Sequence, residues 1–443
     1  MSELNLKTRR EFLRASVLGG AVSWTVPAFL SQTFDALHAQ AAGQSQAVTG
    51  KDNTILVVLQ LAGGNDGLNT VVPVTNDHYH KARPQLSLKS NLHKLDENFA
   101  LHPSLTAFKE LYDAGQLGIV HGVGYPNPNR SHFRSTEIWH TASDANKFEK
   151  YGWLGRYFDN ACKGSDPTVG VSVGRQTPQA FTGPRPLGIS LENPETYRMA
   201  GNDTPEMDET AGSMDFMSRL NGAEGLGADA SSGTTIGSVT GPVQSNLSPL
   251  DYLERTALDA QISSERILKV SQQAKNLVSY PASQVANSFK LVGRLIAGGL
   301  PTRVYYLSQG GYDTHTNQAG AHERLLRELG SAVKAFTDDL KAQGNADRVL
   351  LMTFSEFGRR VKQNANGGTD HGAAAPLFLV GPKLRAGLLG QFPSLAPADL
   401  HNGDPKYTVD FRSIYAGLLQ GWLRTDPAPV LGRKFDAFQS LRA

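Results

Sequence analysis

Two periodicities alternate along this chain. Asn53 to Leu61 (NTILVVLQL) is a continuous apolar run rich in β-branched side chains, the pattern of a strand buried on both faces of a parallel sheet. The turn Ala62-Gly63-Gly64-Asn65-Asp66-Gly67 ends it. His102-Pro103-Ser104 then opens a helical pattern with Leu105, Phe108 and Leu111 on one face, closed by Gly115, and Leu117 to His121 (LGIVH) predicts the next strand. Strand, helix and strand in that order form the unit of a parallel sheet.

After Gly124 the loop YPNPNRSHFRSTEIWHTA places Ser131 at the start of a helix. From about Val169 to Pro249, Gly, Ser, Thr, Pro and Asn dominate, and Asn221 to Leu250 reads as a surface loop. Helical patterns return at Asp251 to Val278 and at Ala282 to Ala297, split by Pro281. Residues 169–297 are therefore expected to be a polar and helical insertion. The alternation resumes with the strand Arg303 to Leu307, the turn GGYDTHTNQ, and a helix from Ala321 to Ala342 carrying Leu325, Leu329, Val333, Phe336 and Leu340 at helical spacing. Arg348 to Phe354 and Pro376 to Val380 predict two more strands, and Asp410 to Leu423 a final helix. The fold class is α/β, a sandwich of helices around a largely parallel sheet.

Length and charge narrow the functional classes. The chain has 443 residues, 40% of them hydrophobic, and a formal net charge of +2, which gives no argument for nucleic acid as a partner. Its single cysteine, Cys162, excludes a disulfide framework and a thiolate zinc site, so any metal needs His, Asp and Glu ligands. Thr8-Arg9-Arg10-Glu11-Phe12-Leu13, an apolar stretch to Leu30 and Ala39-Gln40-Ala41 follow the order of a twin-arginine signal peptide over residues 1–41. An amphipathic first helix is the alternative. The export signal implies a single domain over 42–443, contact with the twin-arginine export machinery, and a periplasmic or secreted location. No later apolar stretch approaches the roughly 20 residues that span a bilayer.

Ligands of such sheets bind beyond the carboxyl ends of the strands. Asp66 follows the first strand, Asp313 and His315 follow RVYYL, Glu356 follows RVLLMTF, and Asp370 and His371 precede the last strand. Carboxylates and imidazoles on convergent loops suit a hydrolytic divalent metal. Each also has a structural reading: Asp66 as a turn residue, Asp313 as a helix cap, His315 and His371 as loop histidines, Glu356 as a partner of Arg359 or Arg360. His322, inside a helix, reads as structural. Ser131 is either a helix cap or a nucleophile at a helix N-terminus, with Arg130 or Arg134 holding an anionic substrate and His132 as ligand or base. No Gly-x-Ser-x-Gly elbow surrounds it, which disfavours an α/β-hydrolase esterase.

LQLAGGNDGLNTVVP, RSHFRSTEIW, GGYDTHTNQ, TFSEFGRR, TDHGAAAPLFLVGP and TVDFRSIYAGLLQGWL, in this order, resemble the family of domain of unknown function 1501. That family in turn resembles the alkaline phosphatase and sulfatase superfamily. The resemblance implies a three-layer α/β/α sandwich and an exported metal-dependent hydrolase of phosphate or sulfate esters acting on a small anionic ester. It implies Asp66, Asp313, His315, Glu356 and His371 as metal ligands, with Ser131 and Arg130 in catalysis. Glu356-Phe357 stands where phosphatases carry an Asp-His pair, which shifts the expected ion from Zn²⁺ towards Mn²⁺, Mg²⁺ or Ca²⁺. It also opens the alternative of a non-catalytic binding or assembly protein that contacts another envelope component.

Overall fold

The computed structural model describes residues 54–163, 165, 167–185, 187–194, 263 and 265–442. The signal-peptide reading and the loop expected at Asn221 to Leu250 lie outside the described residues, as does the first part of the helical pattern expected from Asp251.

The centre of the molecule is a mixed sheet. β1 (Ile55–Leu61) is flanked by β8 (Val304–Gln309) and β9 (Val349–Phe354), both parallel to it. Beyond β8 lie β6 (Gly170–Val173) and then β7 (Ile189–Leu191), again parallel. On the other side β12 (Ala375–Val380) runs antiparallel between β9 and β5 (Leu117–Gly124), and β13 (Gly387–Leu389) and β14 (Val409–Asp410) pair in parallel with β5. β12 is thus the one strand of this sheet that opposes the rest. Two small antiparallel sheets stand apart: β2 (Val71–Pro73), β3 (His93–Lys94) and β4 (Phe99–Leu101) form one, β10 (Arg359–Gln363) and β11 (Thr369–His371) the other.

Side chains of β1 alternate between two cores, which is why its sequence is apolar throughout. Ile55, Val57, Leu59 and Leu61 pack with the helices Thr106–Asp113, Gln284–Ala297 and Gln318–Ala342, through Phe108, Phe289, Leu329 and Phe336. Leu56 and Val58 join the opposite core, built on the helices His132–Thr141, Trp153–Ala161 and Phe411–Gly421. This is a three-layer α/β/α arrangement.

The stretch expected to be an insertion contributes to the main body at both described ends. β6 and β7 extend the central sheet, and Gln284–Ala297 covers one of its faces. These strands have three or four residues each, too short to stand out among glycines and prolines. Among the described residues, no helix is long and apolar enough to cross a membrane.

Strand direction decides what meets at the rim. In register, Gln60 sits opposite Phe354 and Leu61 opposite Gln309, so β1, β9 and β8 end level. β12 starts where β5 ends, with Ala375 opposite Val123. The segments after β1, β8, β9 and β5 and the segment before β12 therefore emerge along one edge.

Candidate metal centre

Asp313 and His315 follow β8 in a segment without regular secondary structure, one on each side of the buried Thr314. The next helix begins at Gln318 with Asn317 at its N-cap position, so Asp313 is not its cap. Gly311 turns the chain at φ +100, a conformation that favours glycine. Gly63, at φ +120 after β1, lets that turn press on the same segment: a Cβ there would lie 2.4 Å from the Asp313 amide.

Asp313 is the hub of the cluster. Its Oδ1 lies 3.0 Å from His315 Nε2 and 3.1 Å from His371 Nε2, and its Oδ2 lies 3.4 Å from His132 Nε2. Candidate ligand atoms of His132, Asp313 and His371 all fall within 4.8 Å of one another, so this group could hold a metal ion. His132 opens the helix His132–Thr141, which follows β5.

The opposite nitrogen of each ring is held by an acceptor. His132 Nδ1 donates to Glu356 Oε1 at 2.8 Å, His371 Nδ1 to the Arg130 carbonyl at 2.8 Å, and His315 Nδ1 to Asp370 Oδ1 at 3.4 Å. Neither a carboxylate nor a carbonyl can donate, so each Nδ1 carries the proton and, in a neutral ring, each Nε2 presents a lone pair. The Nε2 atoms of His315 and His371 face each other at 2.9 Å, an arrangement that calls for a proton or a metal cation between them. A carboxylate or carbonyl behind each imidazole is also the support that metal-bound histidines have. Two further atoms lack a hydrogen-bond partner in the buried part of the site, His132 Nε2 and Glu356 Oε2. The residues present fit a cation.

Phe357 forms an apolar wall, its ring 4.9 Å from that of His132 and 4.5 Å from that of His371. Burial alone would raise the Asp313 carboxyl, but the hydrogen bond and the charge of Arg359 outweigh it and leave the pKa lowered. It is a carboxylate at any working pH.

The other candidates are placed as follows. Glu356 is buried and accepts from Gly63 N at 2.7 Å as well as from His132, so it stands behind an imidazole. Asp66 lies outside the cluster: its side chain is wholly buried, 2.6 Å from Arg83 Nη1 and 2.5 Å from Gln318 Nε2. Gln318 Oε1 in turn accepts from Thr314 and Thr369, so Asp66 anchors the loops from one layer further in. His322 is buried too, 2.9 Å from Asn65 Oδ1, and burial pushes it down to about 4. Ser131 is the N-cap of its helix but makes no capping bond through its hydroxyl. Arg130 turns its guanidinium away to Asp404, at 2.5 Å, and meets the cluster only through its carbonyl.

A family model described as "Protein of unknown function (DUF1501)" matches residues 53–433. No curated protein matches the chain. Similar solved structures include a sulfatase, PsFucS1 from Pseudoalteromonas sp., at 10% identity over 91% of this chain and 76% of that one, with a TM-score of 0.35. A protein of the alkaline phosphatase superfamily from Vibrio parahaemolyticus has 9% identity over 89% and 78%, and the lipoteichoic acid synthase LtaP from Listeria monocytogenes 7% over 82% and 76%, each with a TM-score of 0.35. These likenesses are loose.

Proposed function

The chain belongs to the DUF1501 family, and since that membership names no activity, we propose from the site itself that it is a metal-dependent hydrolase of phosphate or sulfate esters. The observation that carries the proposal is the convergence of the Nε2 atoms of His132, His315 and His371 on the two oxygens of Asp313. Export through the twin-arginine pathway to the periplasm or beyond, and a small anionic ester as substrate, are part of the same reading.

His132, Asp313, His315 and His371 would hold the ion. Three imidazoles and one carboxylate favour Zn²⁺ over Mg²⁺ or Ca²⁺, the reverse of the preference drawn from Asp66 and Glu356 as ligands. When bound, such an ion supplies polarisation of an ester oxygen and a lowered pKa for a nucleophile. Glu356, Asp370 and the Arg130 carbonyl keep each proton on Nδ1. The attacking hydroxyl in this reading is Ser131, exposed next to His132 at the start of a helix.

A binding or assembly role for another envelope component is favoured by one observation. Arg130 is paired with Asp404, and Arg359 donates to five acceptors, so both guanidinium groups of the cluster are already engaged. The test is an assay of the purified chain on aryl phosphate and aryl sulfate with Zn²⁺, Mn²⁺, Mg²⁺ or Ca²⁺ added singly. Turnover is expected with Zn²⁺ or Mn²⁺, reduced at least about 100-fold in Asp313→Ala. Folded, metal-loaded protein without turnover on either ester would overturn the hydrolase reading and leave the binding role.

A further inference from the structure

We infer that Arg359 is the positioning residue of this centre, a guanidinium clamp that sets the ligand geometry before any ion arrives; the inference rests on the metal-centre reading above. Arg359 is the first residue of β10 and is 1% exposed. Its main chain pairs with that of His371, across the β10–β11 ladder. Its side chain reaches the other key ligand: Nη2 lies 2.8 Å from Asp313 Oδ1, the oxygen that His315 and His371 also face. One residue thus fixes two candidate ligands, one by its backbone and one by its guanidinium.

The remaining donors tie three separate rim segments together. Nε donates to Gly64 O at 2.6 Å and Nη2 to Gly63 O at 2.5 Å, both in the turn after β1. Nη2 also reaches Tyr312 O at 2.9 Å, in the segment after β8. Nη1 donates to Thr369 O at 2.7 Å, two residues before His371. All of these partners are acceptors, and acceptors cannot pair with one another. Without this shared donor the carbonyls of Gly63 and Gly64 would lose their hydrogen bond to it, whereas Tyr312 O would keep Thr314 N. Satisfying them from one point takes a planar group with several N–H bonds at fixed angles, which guanidinium has and ammonium lacks.

The clamp acts through Asp313. Each of its three nitrogens donates to a protein acceptor and its side chain is fully buried, so Arg359 acts by positioning. It holds the carboxylate in the rotamer that aims Oδ1 at His315 and His371. A residue with a merely structural role would change folding stability alone, whereas this one should also change how tightly and in what geometry an ion is held.

The test uses Co²⁺ as a coloured probe and Zn²⁺ by chelator competition, on the full chain. Arg359→Lys, checked for native circular dichroism, is expected to bind either ion about 10–100-fold more weakly and to give an altered visible Co²⁺ spectrum. Unchanged affinity and spectrum in the folded variant would overturn the clamp. If the variant does not fold, amide exchange of the wild-type chain decides. A preformed site predicts protection at residues 62–66, 310–316 and 369–372 in metal-free protein that rises less than about threefold on adding Zn²⁺. A rise of more than about tenfold would mean that the ion, and not Arg359, orders these segments. Failure of the wild-type chain to take up any ion removes the metal-centre reading, and the clamp with it. Uptake that Arg359→Lys leaves unaltered removes only the clamp.

Discussion

Replacing Asp66 by alanine is expected to cost about 3–5 kcal/mol of folding stability while leaving metal stoichiometry unchanged. Asp66 and Arg83 form an ion pair at 2.6 Å with both side chains fully buried. Arg83 has further bonds, to Asn69 Oδ1 and to the carbonyls of Arg360 and Val361, so it cannot swing out to water when its partner goes. Removing the carboxylate would leave a guanidinium charge in the interior without its counter-ion, the costly half of a broken buried pair. Gln318 would also lose its acceptor, loosening its hold on Thr314 and Thr369. Urea denaturation of wild type and variant measures the cost, and elemental analysis measures the metal.

The same pair makes a prediction about acid. Burial pushes the Asp66 carboxyl up, but the Arg83 charge and hydrogen bond, with smaller help from His322 and Gln318, outweigh it and leave the pKa lowered. A carboxyl lowered in the folded state stabilises above its unfolded pKa of about 3.9, and that contribution disappears as pH falls through the lower folded value. Wild type should therefore lose stability more steeply than Asp66→Ala below about pH 4. Equal slopes would mean that the pair contributes nothing, and loss of metal from a folded Asp66→Ala chain would return Asp66 to the ligand set.

Some of this was legible in the sequence because it depends on periodicity. The runs around Ile55, Val304, Val349 and Ala375 are apolar on both faces and stand out as strands, and the helix bearing Leu329 and Phe336 shows its buried stripe directly. That Asp313 and His315 share a rim with Glu356 also followed, since strand ends in a parallel sheet converge. Three things were not legible. The antiparallel direction of β12 leaves no mark on its composition, yet it is what brings His371 to the rim from the strand's beginning. β6 and β7 are too short for a pattern to persist. The division between ligand and support is a matter of a few ångströms: His132 and Glu356 are 224 positions apart, and only their 2.8 Å contact shows that the carboxylate backs the imidazole. Spacing gave no signal for Arg359 either, because its partners come from three distant segments.

That division sets the last expected result. His371→Ala should weaken Zn²⁺ binding by more than about 100-fold, whereas Glu356→Gln should weaken it by about 10–100-fold, the range for a group that supports a ligand without being one. His371 presents Nε2 to Asp313 Oδ1 at 3.1 Å and to His315 Nε2 at 2.9 Å, so its removal deletes a donor from the middle of the cluster. Glu356→Gln keeps an oxygen that can accept from Gly63 N and His132 Nδ1, and loses only the charge that strengthens His132 as a donor to the ion. A factor of 100 corresponds to about 2.7 kcal/mol, well within reach of chelator competition at fixed pH. Asp66→Ala serves as the reference in which folding suffers and metal stoichiometry does not change. If Glu356→Gln proves as damaging as His371→Ala, its second oxygen, which has no partner, is itself a ligand. The centre would then be richer in oxygen than the three imidazoles suggest, and Mn²⁺ would displace Zn²⁺ as the ion to expect.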